Sequence, residues 1–180
     1  ESTACLGRGR LMPAGLLEGF RVLDMGSGIS GPWCAKLLAD YGADVIKLEV
    51  PGCGDDARRM GPFAGDDPDS EKSLTFLYLN TNKKGVTLDP STVSGRRLLD
   101  RLVADADVLV ENNPPARSKE LGLNYESLVE TNPGLVLTSI TPFGQTGPYN
   151  DFEATDIVTY ALSGLMYHSG DSDQPPLRNV

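Results

Sequence analysis

Residues 20–49, FRVLDMGSGISGPWCAKLLADYGADVIKLE, decide the fold. Residues 20–25 are a short apolar run of strand formers ending at glycine, and Pro32 followed by Trp33, Leu37 and Tyr41 at helical spacing opens an amphipathic helix. Gly42 closes that helix, and residues 45–48 form a second buried strand. The unit is a right-handed βαβ crossover whose glycine turn faces a helix N-terminus. Such a turn suits a phosphate, because the first helical N–H groups supply donors and a partial positive charge.

Gly26, Gly28 and Gly31 spell G-x-G-x-x-G, and Glu49 follows at about the separation where a dinucleotide-binding fold keeps its ribose-binding acid. An NAD-dependent oxidoreductase is therefore one reading. For the fingerprint alone, a tight strand-to-helix turn with no ligand is an equal one, and the rest of the chain must decide between them.

Beyond Glu49 a long connection, VPGCGDDARRMGPFAGDDPDSEKS, is heavy in Gly, Pro and Asp and has no period. A connection of that length is expected to be functional or mobile. Asp55 with Arg58 and Arg59 is its chemically richest part, and the cation pair, at the C-terminal edge of a parallel sheet, would sit well for a pyrophosphate or a 3′-phosphate. Residues 74–79 fit a short helix, and Asn80-Thr81-Asn82-Lys83-Lys84-Gly85 reads as a polar turn feeding a strand over 86–89, either an anion nest or, nearly as well, a lysine-bearing hairpin-like turn in water. Pro90-Ser91 caps a helix with Leu98, Leu99, Leu102 and Val103 as its buried stripe and Arg96, Arg97, Asp100 and Arg101 outside it. Residues 107–111 form a strand, stopped by Asn112-Asn113-Pro114-Pro115. A helical turn at 125–129, a strand at 135–140, a glycine-rich loop at 142–148 and a helix over 156–166 follow. Strand and helix alternate about five times, the pattern of an α/β, Rossmann-like parallel sheet with helices on both faces, whose ligands bind beyond the strand C-termini.

Composition narrows the function classes. The 180 residues allow one domain, and a net charge of -9 argues against a nucleic-acid binder, whose partner demands a basic face. No apolar run approaches the roughly 20 residues of a membrane helix. Residues 1–16 lack the apolar core of a signal peptide and are expected to be a tag remnant or disordered leader, Met12 being a candidate natural start. Cys5, Cys34 and Cys53 form no C-x-x-C pair, so neither a disulfide framework nor a zinc knuckle is expected, and a cytoplasmic setting fits. His168 is the single histidine, which argues against a metal site of several histidines and against a Ser-His-Asp triad. It reads as a solvent-facing side chain in a loop.

The order of motifs resembles the class III coenzyme A transferases, the group of formyl-CoA transferase, carnitine CoA-transferase and alpha-methylacyl-CoA racemase. The resemblance is carried by LEGFRVLDMGSGISGPWCAKLLADYGADVIKLEVPGCGDDAR, NTNKKGVTLD, ADVLVENNPPARSKELGL, NPGLVLTSITPFGQTGPY, ATDIVTYALSGLM and QPPLR, in that order from Leu17 onward. It implies that residues 17–180 are the N-terminal, CoA-binding portion of a larger two-domain fold. It implies coenzyme A as substrate and acyl carrier with no metal, and acyl-CoA and a small carboxylic acid as partners. The full-length subunits are expected to interlock as a homodimer.

Carried over from the family, the CoA site falls on Ile29 and Ser30, on Leu88, Asp89 and Ser91, and on Asn112, Asn113 and Pro114. The chain departs from the family pattern at Val50, where a basic residue is usual, at Asn113 in place of an aromatic, at Pro115-Ala116 in place of Pro-Gly, and at Glu120 in place of a cation. Arg117, Lys119 or the Arg58-Arg59 pair would then replace the missing charge. The family's nucleophilic aspartate is expected a few residues beyond Pro175-Pro176, past Val180, so no catalytic residue is assigned and this stretch alone is expected to be inactive. Asp171 and Asp173 precede the prolines and do not match it. The racemase alternative needs a histidine where this chain has Thr155, which has no basic nitrogen. A non-catalytic CoA-binding module is the remaining alternative.

Overall fold

The computed structural model describes residues 15–171 and 173–175. The leader expected over 1–16 falls outside the described residues up to position 14, with Cys5 and Met12, and so do Pro176 and residues 177–180.

Five strands, β1 (Arg21–Asp24), β2 (Asp44–Glu49), β3 (Lys83–Thr87), β4 (Val108–Glu111) and β5 (Val136–Ser139), form one sheet in the order β3-β2-β1-β4-β5. All four pairings are parallel. The order reverses direction at β1, so the crevice beside its C-terminal end is the topological switch point where such sheets bind ligands. The expected α/β class is the observed one.

Successive strand residues face opposite sides, and the core divides accordingly. Val22, Val45 and Val110 meet α1 (Ser30–Asp40) through Ala35 and Ala39 on one face. Leu23, Leu48 and Leu109 meet Leu99 and Val103 of α3 (Val93–Ala104) and Leu128 of α5 (Tyr125–Val129) on the other. Both layers are buried, which explains why the strands read as continuous apolar runs.

Several local expectations differ from the structure. In α1 the expected stripe of Trp33, Leu37 and Tyr41 is exposed, and the buried side is Gly31, Pro32, Ala35, Lys36 and Ala39. Small residues let this helix lie close to the sheet, while Trp33 stacks on Tyr78 of α2 (Leu74–Leu79) with ring centroids 5.9 Å apart. β3 begins at Lys83, so the two lysines belong to the strand and not to a turn. The cap of α3 is Thr92, whose hydroxyl accepts the Gly95 amide at 3.0 Å. Leu98, placed in its stripe, is half exposed. Pro115 opens a short helix, α4 (Pro115–Glu120), since proline suits the first helical position. The last expected helix divides into α6 (Asp156–Leu162) and a 3₁₀ turn at Leu165–His168, with His168 exposed as expected.

The long connection after β2 is tied down by its own polar groups. Asp55 caps a 3₁₀ turn over Asp56–Arg59, and the buried Ser73 hydroxyl bridges the Ala57 and Met60 carbonyls.

Candidate functional site

The glycine turn after β1 is held from below by three side chains. Asp24 Oδ1 accepts the Gly26 amide at 3.0 Å, Asn112 Oδ1 accepts the Ser27 amide at 2.8 Å, and Asp55 Oδ1 accepts the Gly28 amide at 2.8 Å. Asn112 also donates to the Ser27 carbonyl at 2.8 Å and to the Ser30 hydroxyl at 3.1 Å, clamping the turn to the end of β4. The amides of Ile29, Ser30 and Gly31, next in the chain, have no partner among the described residues and lie in the first turn of α1, where no intrahelical acceptor exists. They are donors in a positive dipole end.

Under the turn lies a buried charge network. Lys83 Nζ is 2.7 Å from Asp24 Oδ2 and also donates to the Pro32 carbonyl at 2.8 Å and to Asn80 Oδ1 at 2.9 Å. Burial holds the Lys83 ammonium below the usual lysine range against the pull of Asp24. Lys47 donates to the Gly26 carbonyl and lies 2.6 Å from Asp55 Oδ2, a charge contact off the angle of a hydrogen bond. A buried charge persists only when paired, so these lysines and aspartates hold one another. The anion nest expected at 80–85 is therefore not one: Lys83 is turned inward, and Lys84 pairs with Asp44 at 2.6 Å.

The ribose-acid reading of Glu49 fares no better. Arg58 forks onto it at 2.7 and 3.0 Å, and the Asp55 amide donates at 3.1 Å. Burial pushes the Glu49 carboxyl up, but the Arg58 hydrogen bond and charge outweigh it and hold the group below the usual range. Arg58 in turn reaches Glu71 at 2.8 Å and lies over the Phe76 ring. Arg59 stays at the surface, contacting the Cys53 carbonyl and Asp56.

The residues assigned by resemblance lie along the C-terminal rim of the sheet, but unequally. Ile29 and Ser30 are exposed at the start of α1. Asn112, Asn113 and Pro114 follow β4, where Asn113 binds Glu111 Oε2 through its backbone and side-chain amides at 2.8 and 2.9 Å. Asp89 and Ser91 follow β3, the Asp89 carboxylate accepting both the amide and hydroxyl of Ser91, which hold it below its usual range. Leu88 differs: its side chain is in the core, leaving only backbone to the rim. From β3 to β4 the rim crosses three strand spacings, about 14 Å.

Two clefts flank the glycine turn. One of about 590 Å³ lies past β2 and β3, with Glu49, Val50, Cys53, Arg58 and Arg59 among its walls. The other, about 810 Å³, lies past β4 and β5, walled by Asn112, Pro114, Thr141, Phe152, Thr155 and Val158 with others. A third cavity of about 670 Å³ adjoins it across Pro115 and Ala116 and includes Lys119. Arg117 pairs with Glu120 at 2.7 Å on the exposed side of α4. The sequence missed Asp24 and Lys47, although a charge inside an apolar strand, as in VIKLE, is the signal that a buried partner exists; Asp55, singled out with the two arginines, is instead the buried acceptor that holds the Gly28 amide.

Among the described residues no group of His, Cys, Asp or Glu side chains is placed to hold a metal ion, and no helix is long and apolar enough to cross a membrane.

Comparison with known proteins places this arrangement. The chain is 43% identical over 164 residues to a succinate–glutarate CoA-transferase of Agrobacterium fabrum, covering 90% of this chain and 41% of that protein. It is 44% identical over 161 residues to a formyl-CoA:oxalate CoA-transferase of Streptomyces avermitilis, covering 89% and 38%. The crystal structure of a CAIB/BAIF family protein from Brucella suis superposes with a TM-score of 0.83 at 38% identity, covering 92% of this chain and 44% of that one. The chain thus spans about two fifths of the length of the relatives it matches. Residues 17–179 match the model of CoA-transferase family III, and the chain belongs to that family.

Proposed function

We propose that this chain supplies the CoA-holding rim of an enzyme that moves coenzyme A between an acyl-CoA and a small carboxylic acid. The observation that carries the reading is the way the glycine turn is filled. In a dinucleotide fold the turn amides face a pyrophosphate, whereas here Asp24, Asn112 and Asp55 occupy those of Gly26, Ser27 and Gly28. What is left for a ligand are the exposed Ile29 and Ser30 and two clefts on either side, a layout suited to a long molecule lying along the rim.

Ile29, Ser30, Asp89, Ser91, Asn112, Asn113 and Pro114 would line that molecule's path, and Leu88 would take part through its backbone. Arg59, whose partners are surface groups, is the better substitute for the cation missing at Val50, because Arg58 is engaged by Glu49 and Glu71.

The chemistry proposed is that of the family. An aspartate carboxylate beyond Val180 attacks the acyl-CoA carbonyl and releases CoA thiolate, forming a mixed anhydride. The thiolate then attacks the aspartyl carbonyl, releases the donor carboxylate and leaves an aspartyl-CoA thioester, which an acceptor carboxylate opens by the same two steps in reverse. Thr155, at the mouth of α6 in the larger cleft, has no basic nitrogen to move an alpha proton, which supports transfer over racemisation. The full-length protein is proposed to be a cytoplasmic homodimer, in which exposed Ile157, Leu162, Leu165 and Tyr167 would find cover.

Calorimetric titration of residues 1–180 with CoA and with NAD tests the reading. Saturable binding of CoA alone is expected; NAD binding without CoA binding overturns it. Incubation with an acyl-CoA and an acceptor acid is expected to give no exchange, and exchange by this stretch would displace the nucleophile from its proposed position.

A further inference from the structure

Asp55 stands where three segments meet. It is 2% exposed, and its Oδ1 accepts the amides of Ala57, which it caps, and of Gly28, 27 residues upstream, both at 2.8 Å. Its own amide donates to Glu49 Oε2 at 3.1 Å. Just outside it, the Ser27 hydroxyl donates to Asp56 Oδ2 and accepts the Asp56 amide, each at 3.0 Å. Capping the 3₁₀ turn requires only the Ala57 contact. The Gly28 and Ser27 contacts join the glycine turn after β1 to the turn after β2 that carries Arg58 and Arg59, and the Glu49 contact ties that turn to the end of β2.

That junction lies between the two clefts. Asp55 takes the Gly28 amide, so the donors left for a ligand begin one residue later, at Ile29, and their direction depends on where the Arg59-bearing turn sits.

We propose that Asp55 and Ser27 are positioning residues for the CoA site: a latch that makes the glycine turn and the Arg58-Arg59 turn one rigid rim. A ligand seated in the cleft past β2 and β3 is thereby held in register with the amides of Ile29 and Ser30. This rests on the CoA reading above. The ordering is done before the ligand arrives, and preorganisation of this kind is read as affinity.

The test uses the natural full-length polypeptide, with wild type, Ser27→Ala and Asp55→Asn titrated calorimetrically against CoA and against adenosine 3′,5′-bisphosphate, a fragment of CoA that lacks the pantetheine arm and is too short to span both clefts. Ser27→Ala is expected to melt within a few degrees of wild type, to bind the bisphosphate as wild type does, and to lose about tenfold in affinity for CoA. Asp55→Asn is expected to lose more, because an amide nitrogen in place of Oδ2 would face the buried Lys47 ammonium at 2.6 Å and force the side chain off the Gly28 amide. A merely structural role would lower the melting temperature and leave the dissociation constants of the folded protein unchanged. Wild-type CoA affinity in folded Ser27→Ala overturns the latch, as does an equal loss for both ligands. Should Asp55→Asn fail to fold, Ser27→Ala alone decides. Absence of CoA binding by the wild type overturns the CoA reading and the latch together, whereas tight wild-type binding that Ser27→Ala leaves intact overturns the latch alone.

Discussion

The Lys83 ammonium lies 2.7 Å from Asp24 Oδ2, with the two side chains 1% and 0% exposed. Asp24 ends β1 and Lys83 begins β3, so the pair fastens the edge strand to the centre of the sheet beneath the glycine turn. Removing Lys83 leaves the buried Asp24 carboxylate with only Lys47, 3.7 Å away, as a counter-charge. Lys83→Met is therefore expected to destabilise the fold by about 3–5 kcal/mol in urea unfolding, with partial recovery in the double variant that also carries Asp24→Asn. A single variant as stable as wild type would show that the pair is not what secures β3.

Glu49 and Arg58 set a pH dependence. The Glu49 carboxyl lies below its ordinary value of 4.5 in the folded state, so between those two values the unfolded chain binds more protons. Its contribution is fully present above 4.5 and is lost as pH falls through the lowered native value. Arg58→Met is expected to cost about 1–3 kcal/mol near neutrality and to flatten the acid side of the stability curve. Urea midpoints measured from about pH 6 down to pH 3 check this. Parallel curves for the two proteins would assign the acid loss to other carboxylates.

The element order was legible because both faces of the sheet are covered: strands such as VLVE and VIKLE have to be apolar, and Gly and Pro punctuate them. The faces were less legible. Trp33, Leu37 and Tyr41 have the spacing of a core stripe, yet α1 approaches the sheet through alanines and leaves its large side chains for Tyr78 and solvent. Periodicity finds two apolar sides in such a helix and cannot rank them. The lysines of NTNKKG were assigned to a ligand because local sequence shows donors, not the Asp24 carboxylate, 59 residues away, that takes one of them. The rim residues could be placed at the strand ends by topology, but the buried role of Leu88 depends on packing that spacing does not encode.

Asn112 joins two strand ends through one side chain, giving and taking a 2.8 Å hydrogen bond with the Ser27 backbone. Asn112→Ala strands a partly buried amide and carbonyl, at an expected cost of about 1–3 kcal/mol. Since the clamp also fixes the turn beside Ile29 and Ser30, CoA affinity is expected to fall as well. Thermal melts and calorimetry on the same preparation separate the two effects: lost stability with unchanged affinity would restrict Asn112 to holding the turn.

The glycines of the G-x-G-x-x-G run can be told apart by substitution. A Cβ on Gly31 would stand 2.7 Å from the Gly26 Cα and 3.3 Å from the Asn112 side chain, so two backbone segments touch where a side chain has no room. Alanine normally gains up to about 1 kcal/mol over glycine inside a helix. Here the clash with immobile backbone outweighs that gain, and Gly31→Ala is expected to lose about 1–3 kcal/mol. A Cβ on Gly28 meets only the Met60 side-chain terminus at 3.9 Å, but its φ of +73° is a left-handed conformation, so the cost there is strain of about 1–2 kcal/mol without crowding. Gly31→Ala should also displace Asn112 and thereby weaken CoA binding, whereas Gly28→Ala keeps the Asp55 acceptor for its amide. Denaturation midpoints and CoA titrations of both variants give the comparison, and a neutral Gly31→Ala would mean the two segments can part without cost. The expected ranking follows from the first and third glycines of the run being required by each other's backbone, independently of any bound phosphate.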